Sequence, residues 1–223
     1  MAEVKLHGAR FSPFYHRVKW ALKLKGIPFE YIEEDYSNKT PQLLQYNPIH
    51  KKIPVLVHGG KPICESMNIV QYIDEIWPHN SLLPADPYER SVARFWVTFA
   101  EDKAISVFWK TLQTSGEEQK KAFEECLEML RIVEEHCLGE KKFLGGDNIN
   151  IVDIALGSIV HWLGITAEIA EFNLFEAEKF PLLHVHAWIK NFKEVPVIKE
   201  NLAERDKTLA YIKAHREKTL GSS

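Results

Sequence analysis

The chain has 223 residues, 45% hydrophobic and 26% charged, enough for one large or two small globular domains with a buried core. Its net charge of −3 gives no reason to expect a polyanionic partner, so nucleic acid is not an expected ligand. Three cysteines, Cys64, Cys126 and Cys137, at wide and irregular spacing make neither a disulfide framework nor a zinc pattern, and they suit a reducing compartment.

The opening MAEVKLHGARFSPF has no apolar run of signal-peptide length, and no stretch approaches about 18 apolar residues. A cytoplasmic protein without a membrane partner is the expectation. Val4 to Leu6 alternates apolar and charged residues like a short strand. Ser12-Pro13 reads as a helix start, with Ser as N-cap and Pro at the first helical position; apolar residues then recur at helical spacing from Val18 to Leu24, and Gly26 closes the helix. Phe29 to Ile32 is strand-like, and a loop runs through Ser37-Asn38-Lys39. Ile53 to Val57 forms a further strand, His58-Gly59-Gly60-Lys61 a hairpin turn, and Pro62 to Cys64 a short returning strand. Beyond Glu65-Ser66, the apolar positions Ile69, Val70, Ile73 and Ile76 mark an amphipathic helix.

This order, βαβ followed by a β-hairpin and a helix, predicts a small α/β domain of the thioredoxin type over residues 1–77. Residues 78–88 contain three prolines between Trp77 and Pro87 and read as a linker. From 89 to 223 strand signals stop: 90–114, 117–137, 151–170, 182–192 and 196–218 all have helical periodicity, and an all-α domain is expected.

Three short constellations carry chemistry. Ser12-Pro13-Phe14 puts a hydroxyl at a helix N-terminus, where free amides and the helix dipole favour a nearby anion such as a thiolate. Bringing a thiol pKa from about 8.5 towards neutrality takes roughly 1.4 kcal/mol per unit, the scale of one donated hydrogen bond plus a helix terminus. Read alone, the same serine is an N-cap. Ile53-Pro54 opens a strand with a residue that cannot join a central ladder, which fits an edge, a bend or a cis peptide that offers the Ile53 backbone to a peptide ligand. Glu65-Ser66 leads into a helix whose first amides suit a carboxylate, with Ser66 as cap and Glu65 placed to bind an ammonium group. Lys39 and Lys52 are nearby cations for a second carboxylate.

The run Asn47-Pro48-Ile49-His50-Lys51-Lys52-Ile53-Pro54-Val55-Leu56, followed by Gly60-Lys61-Pro62-Ile63-Cys64-Glu65-Ser66, resembles the plant tau-class glutathione transferases. So do Ser12-Pro13-Phe14, Glu33-Glu34-Asp35 with Asn38-Lys39, Leu82-Leu83-Pro84 with Asp86-Pro87, and Gly145-Gly146-Asp147 with Val152-Asp153-Ile154-Ala155. The resemblance implies the glutathione transferase fold, an α/β thioredoxin-like N-terminal domain plus an all-α C-terminal domain, in a homodimer. It implies Ser12 as catalytic serine, glutathione as co-substrate with no permanently bound cofactor and no metal, and Lys39, Lys52, Ile53, Glu65 and Ser66 as glutathione-binding positions. Asn150-Ile-Val-Asp153 resembles the family's helix-capping box.

Arg10 stands where many tau enzymes carry an aromatic residue; it would either add to thiolate stabilisation or narrow the acceptor pocket. For the apolar electrophile the resemblance nominates Phe14, Ile105, Phe108, Trp109, Leu112, Trp162 and Tyr211, beside Arg10. Ile105, Phe108, Trp109 and Leu112 also follow the i, i+3, i+4, i+7 pattern of an ordinary core stripe. His184 and His186, two apart on a helix, face different sides and make a poor metal pair. Conjugation of the glutathione thiolate to hydrophobic electrophiles is the reading adopted. Hydroperoxide reduction by the same thiolate, and non-catalytic carriage of apolar metabolites, are its alternatives.

Overall fold

The chain is described from a computed structural model covering residues 2–172 and 181–221. Strand β1 (Val4–Gly8) has four of its five residues buried, because it lies inside a four-stranded sheet ordered β2-β1-β3-β4. It pairs in parallel with β2 (Glu30–Glu33) and antiparallel with β3 (Val55–His58), and β3 pairs antiparallel with β4 (Lys61–Cys64). The inner strands bury residues on both faces, whereas the edge strands β2 and β4 have no buried residue. Gly59 and Gly60, at φ +55° and +80°, form the tight hairpin turn between β3 and β4 that the sequence predicts.

Helix α1 (Pro13–Leu24) starts with Ser12 as N-cap and Pro13 in its first turn. Helix α2 (Pro41–Tyr46) is short and capped by Thr40, and no helical period in the sequence marks it. Helix α3 (Ser66–Ile76) follows β4. At the end of α1 the Lys25 ammonium, with no exposed side-chain surface, meets Asp74 of α3 at 2.6 Å and donates to the carbonyl of His79 at 2.7 Å. Asp74 also accepts from the Ser81 hydroxyl and the Leu82 amide. This knot makes residues up to Leu82, expected as linker, part of the first packing unit, which spans Met1–Leu82 together with Val197–Ala203.

That second segment corrects the sequence reading again. A single helix was expected over 196–218, all within the second domain, yet the chain forms α9 (Pro196–Lys199), breaks, and resumes as α10 (Arg205–Gly221). The break has a polar cause within the first unit. The Asn201 carbonyl accepts from Trp20 Nε1 at 3.2 Å and Lys19 Nζ at 3.4 Å, and His16 Nδ1 lies 3.2 Å away, all three side chains from α1. A carbonyl engaged from the side by three side chains is taken out of a helical ladder.

The second unit comprises Leu83–Pro196 and Glu204–Ser223 and is helical: α4 (Pro87–Phe99), α5 (Ile105–Gln113), α6 (Gly116–Val133), α7 (Ile151–Ile169), α8 (Leu183–Glu194) and α10. Single π-helical turns at Ala100–Ala104 and Glu134–Leu138 follow α4 and α6. Glu134 accepts from the Val185 amide at 2.9 Å, supplying a cap that Leu182 lacks. Helix α7 is long and apolar enough to cross a membrane by length and composition alone. It is buried inside the protein along most of its length, the reason it is apolar all round.

The start of α7 is a capping box with additions. Asn150 Oδ1 accepts from the Val152 and Asp153 amides, and Asp153 accepts from the Asn150 amide. Asp153 also takes the Leu144 and Gly145 amides and the Trp188 indole N–H of α8 at 2.8 Å. Burial pushes its carboxyl up to about 6, against the pull of those four donors.

Two expectations follow. Asp153→Ala strands four buried donors and should cost about 3–5 kcal/mol in urea unfolding; a loss within about 1 kcal/mol would show that water or a local shift satisfies them. His16 is buried, and burial lowers its imidazole to about 4 although two carbonyls pull the other way. Its folded value lies below the unfolded one near 6.5, so its contribution is complete above that pH and is lost as pH falls towards 4, by roughly 3 kcal/mol. His16→Gln should flatten this part of the stability–pH curve measured by urea unfolding between pH 7 and 4. An unchanged slope would rule the assignment out.

Candidate active site

The register of the sheet gathers the sequence candidates of the first unit at one end. His7 faces Val55 across β1 and β3, and Val55 faces Cys64 across β3 and β4. The exit of β1 towards Ser12, the entry of β3 at Ile53-Pro54 and the exit of β4 at Glu65-Ser66 therefore lie side by side. Glu33, opposite Gly8 at the end of β2, joins them.

Ser12 is fixed twice. Its amide donates to the Ala9 carbonyl at 2.9 Å, closing the turn after β1, and its hydroxyl oxygen accepts from the Tyr15 amide at 3.4 Å. A hydroxyl that accepts from its own helix keeps its proton to donate elsewhere. Gly8 permits the tight approach of this turn, since a Cβ there would stand 2.3 Å from the Tyr15 ring. Burial raises the Tyr15 phenol, and with Glu33 nearby the Tyr31 phenol too, so both stay protonated at neutral pH.

The Ile53–Pro54 peptide is cis. At the start of α3 the structure departs from the sequence reading. Glu65, not Ser66, is the N-cap residue, at φ +68° and with no side-chain capping bond, and Ser66 is the first residue of the helix. A non-glycine residue held in this region costs on the order of 1–3 kcal/mol and marks a constrained position. Ser66 is buried and its hydroxyl accepts from Arg17 Nη1 at 3.1 Å. Arg17 has no exposed surface and its guanidinium lies 5.3 Å from the centre of the Phe14 ring. The sequence reading missed Arg17. The signal was available in the helical phase, which sets it one turn after Pro13 and one turn before Trp20 and Ala21 on the buried side of α1.

Arg10 is paired with the end of β2. Its Nε donates to Glu33 at 2.7 Å and its amide to the same carboxylate at 3.3 Å. It is an exposed, paired cation at the end of the sheet.

Lys39 precedes Thr40, the cap of α2, and Lys52 follows the turn after α2. Between them Asn47, 3% exposed, donates through Nδ2 to the Lys52 carbonyl at 2.9 Å and accepts from the His50 amide. Leu43 is the one buried residue of α2 and packs with Val55 and Val57 of β3. Cys64 belongs to the same cluster, with its thiol raised by burial and donating weakly to the Tyr46 carbonyl. Burial pushes the Cys126 and Cys137 thiols up to about 12, which makes them inert.

In the second unit, Phe108, Leu112 and Trp162 are buried, as core residues of their helices would be. Ile105, Trp109 and Tyr211 are half-buried, as is Phe14 in the first unit. Among the described residues no cluster of three or more His, Cys, Asp or Glu is placed to hold a metal ion.

A βαβ unit extended by a hairpin and a helix, followed by a helical unit, is a thioredoxin-like domain joined to an all-helical one. Residues 2–75 match the glutathione S-transferase N-terminal domain, and residues 92–196 match the glutathione S-transferase C-terminal domain. The chain belongs to the glutathione S-transferase family and to its plant tau class. It is 48% identical to a probable glutathione S-transferase of Nicotiana tabacum over 222 residues, covering 100% of this chain and 98% of the relative. It is 44% identical to glutathione S-transferase U7 of Arabidopsis thaliana, over 97% of this chain and 94% of that one. Among solved structures, the tau-class enzyme MiGSTU of mango superposes with a TM-score of 0.86 at 37% identity, covering 95% of this chain and 98% of the other. Rice OsGSTU1, solved in complex with glutathione, gives 0.88 at 33% identity, with 97% of each chain covered.

Proposed function

We propose that Ser12 carries the glutathione transferase chemistry of this chain by donating its hydroxyl hydrogen bond to the sulfur of bound glutathione. The observation that carries this reading is the Ser12 hydroxyl at the start of α1, accepting from the Tyr15 amide and left with a proton to give. The tripeptide runs along the Ile53 backbone. Its γ-glutamyl carboxylate meets the first-turn amides of α3 and the hydroxyl of Ser66, and its ammonium meets Glu65. Arg17, buried against Ser66, adds fixed positive charge beneath that carboxylate. The glycyl carboxylate meets Lys39 and Lys52.

The thiol loses its proton to solvent, and the thiolate is held by Ser12 and the N-terminal field of α1. Sulfur then forms a bond to an electrophilic carbon, and the electron pair leaves with the displaced group or is protonated at the neighbouring atom. Ser12 neither attacks nor abstracts. Glutathione is consumed as co-substrate; no metal or tightly held cofactor takes part. Phe14, Ile105, Trp109 and Tyr211 are the sequence candidates with surface to offer an apolar electrophile. A cytoplasmic homodimer completes the reading, supported by three free cysteines and by exposed apolar side chains such as Ile49, Tyr88 and Phe95.

Ser12→Ala should raise the apparent pKa of the bound thiol by one to two units and slow conjugation of a chlorinated nitrobenzene at neutral pH by roughly 10–100-fold. Removing the N-cap also costs about 1 kcal/mol of stability, so melting is followed in parallel and Ser12→Thr, which keeps the hydroxyl, serves as control. A Ser12→Ala protein with an unchanged pH–rate profile would sink the proposal.

A further inference from the structure

A buried polar chain beneath α2 has no part in the chemistry of Ser12. His7, in the middle of the sheet, and Glu34, just past the end of β2, each have side chains 1% exposed, and His7 Nδ1 lies 2.8 Å from Glu34 Oε1. Glu34 further accepts from the Thr40 hydroxyl at 2.7 Å and from the Thr40 amide at 3.1 Å. Burial alone would raise this carboxyl, but the hydrogen bonds from His7 and Thr40 outweigh it and hold it below its ordinary value. It is therefore an acceptor at neutral pH, and Nδ1 of His7 carries the hydrogen between them.

The arrangement dictates what Thr40 does. Its hydroxyl proton is committed to Glu34, so its oxygen can only accept towards α2, and it does so from the Leu43 amide at 3.1 Å. A helix of six residues cannot hold itself and must be placed by its anchors. Its anchors include Thr40 on Glu34 at its start, Leu43 and Tyr46 in the apolar cluster, and Asn47 on the Lys52 carbonyl at its end. The Thr40 anchor rests on a buried ionisable pair, whose burial is costly unless it is fully bonded. Lys39 is the residue immediately before that anchor.

We infer that His7, Glu34 and Thr40 are positioning residues that set the arm bearing Lys39 and Lys52, and through it the recognition of the glycyl end of the thiol substrate. The inference rests on the preceding assignment of those lysines to the glycyl carboxylate. Its specific consequence is that the chain selects glutathione over γ-glutamylcysteine, which lacks that carboxylate, only while the buried chain of bonds is intact.

The test uses full-length protein with a chlorinated nitrobenzene acceptor and compares KM and kcat for the two thiols. Glu34→Gln and Thr40→Val should each raise the KM for glutathione roughly tenfold, with kcat at saturation within about twofold of wild type. The KM for γ-glutamylcysteine should move less than about twofold, and Thr40→Ser should restore the glutathione value. If both thiols weaken equally, or glutathione does not weaken, the positioning role is overturned. Thr40→Val leaves the His7–Glu34 pair in place and carries the comparison if Glu34→Gln does not fold; failure of both to fold assigns the network to stability and also overturns it. Wild-type protein that conjugates both thiols with equal KM overturns the assignment of Lys39 and Lys52 themselves, an outcome distinct from either.

Discussion

Strand β1 is hydrogen-bonded along both edges, and most of the first unit follows from that constraint. A strand paired on both sides cannot shift register without breaking two ladders and turning its buried face outward. β2 beside it is parallel and β3 antiparallel, so the exit of β1, the exit of β2 and the entry of β3 fall at one end of the sheet. Ser12, Glu33 with Glu34, and Ile53 are delivered there by topology before any side chain makes a contact. The hairpin brings Glu65 and Ser66 to the same end. Residues separated by more than fifty positions thus share one surface because of backbone pairing.

Much of this was legible in the sequence, and the failures share a cause. The strands, the hairpin, α1, α3 and the main helices were marked by period and by turn residues, which are local signals. Helix α2 was not, because six residues with one buried position carry no period. The break between α9 and α10 was not, because its cause is a carbonyl bonded to side chains some 180 positions away. Within the candidate site, the N-cap at Ser12 and a cis option at Ile53-Pro54 are legible locally, whereas the sequence puts the cap of α3 at Ser66. The cap is Glu65, whose positive φ no periodicity reveals. Arg10 illustrates the same limit. Its charge was evident, but that it is spent on Glu33 depends on the register of β2.

The first unit buries an unusual set of polar groups for its size: Arg17, Lys25 with Asp74, and His7 with Glu34. Buried ion pairs are poor sources of net stability, since desolvation offsets most of their attraction. What they supply is direction. Arg17 points at Ser66, Lys25 draws the chain beyond α3 onto α1, and Glu34 draws α2 onto the sheet. The helical unit uses the same device at Asp153, where a single carboxylate joins the turn at Leu144, the start of α7 and the indole of α8.

The break at 200–204 has a consequence for the order in which the chain can be completed. Trp20 and Lys19 emerge from the ribosome early, but the carbonyl they bond to belongs to Asn201, some 180 positions later. Until the chain has been made as far as Asn201, the first unit lacks a piece of its own surface, and these donors must be met by water. The two units recognised along the sequence are therefore not two independent products of synthesis. The first to be made is among the last to be finished.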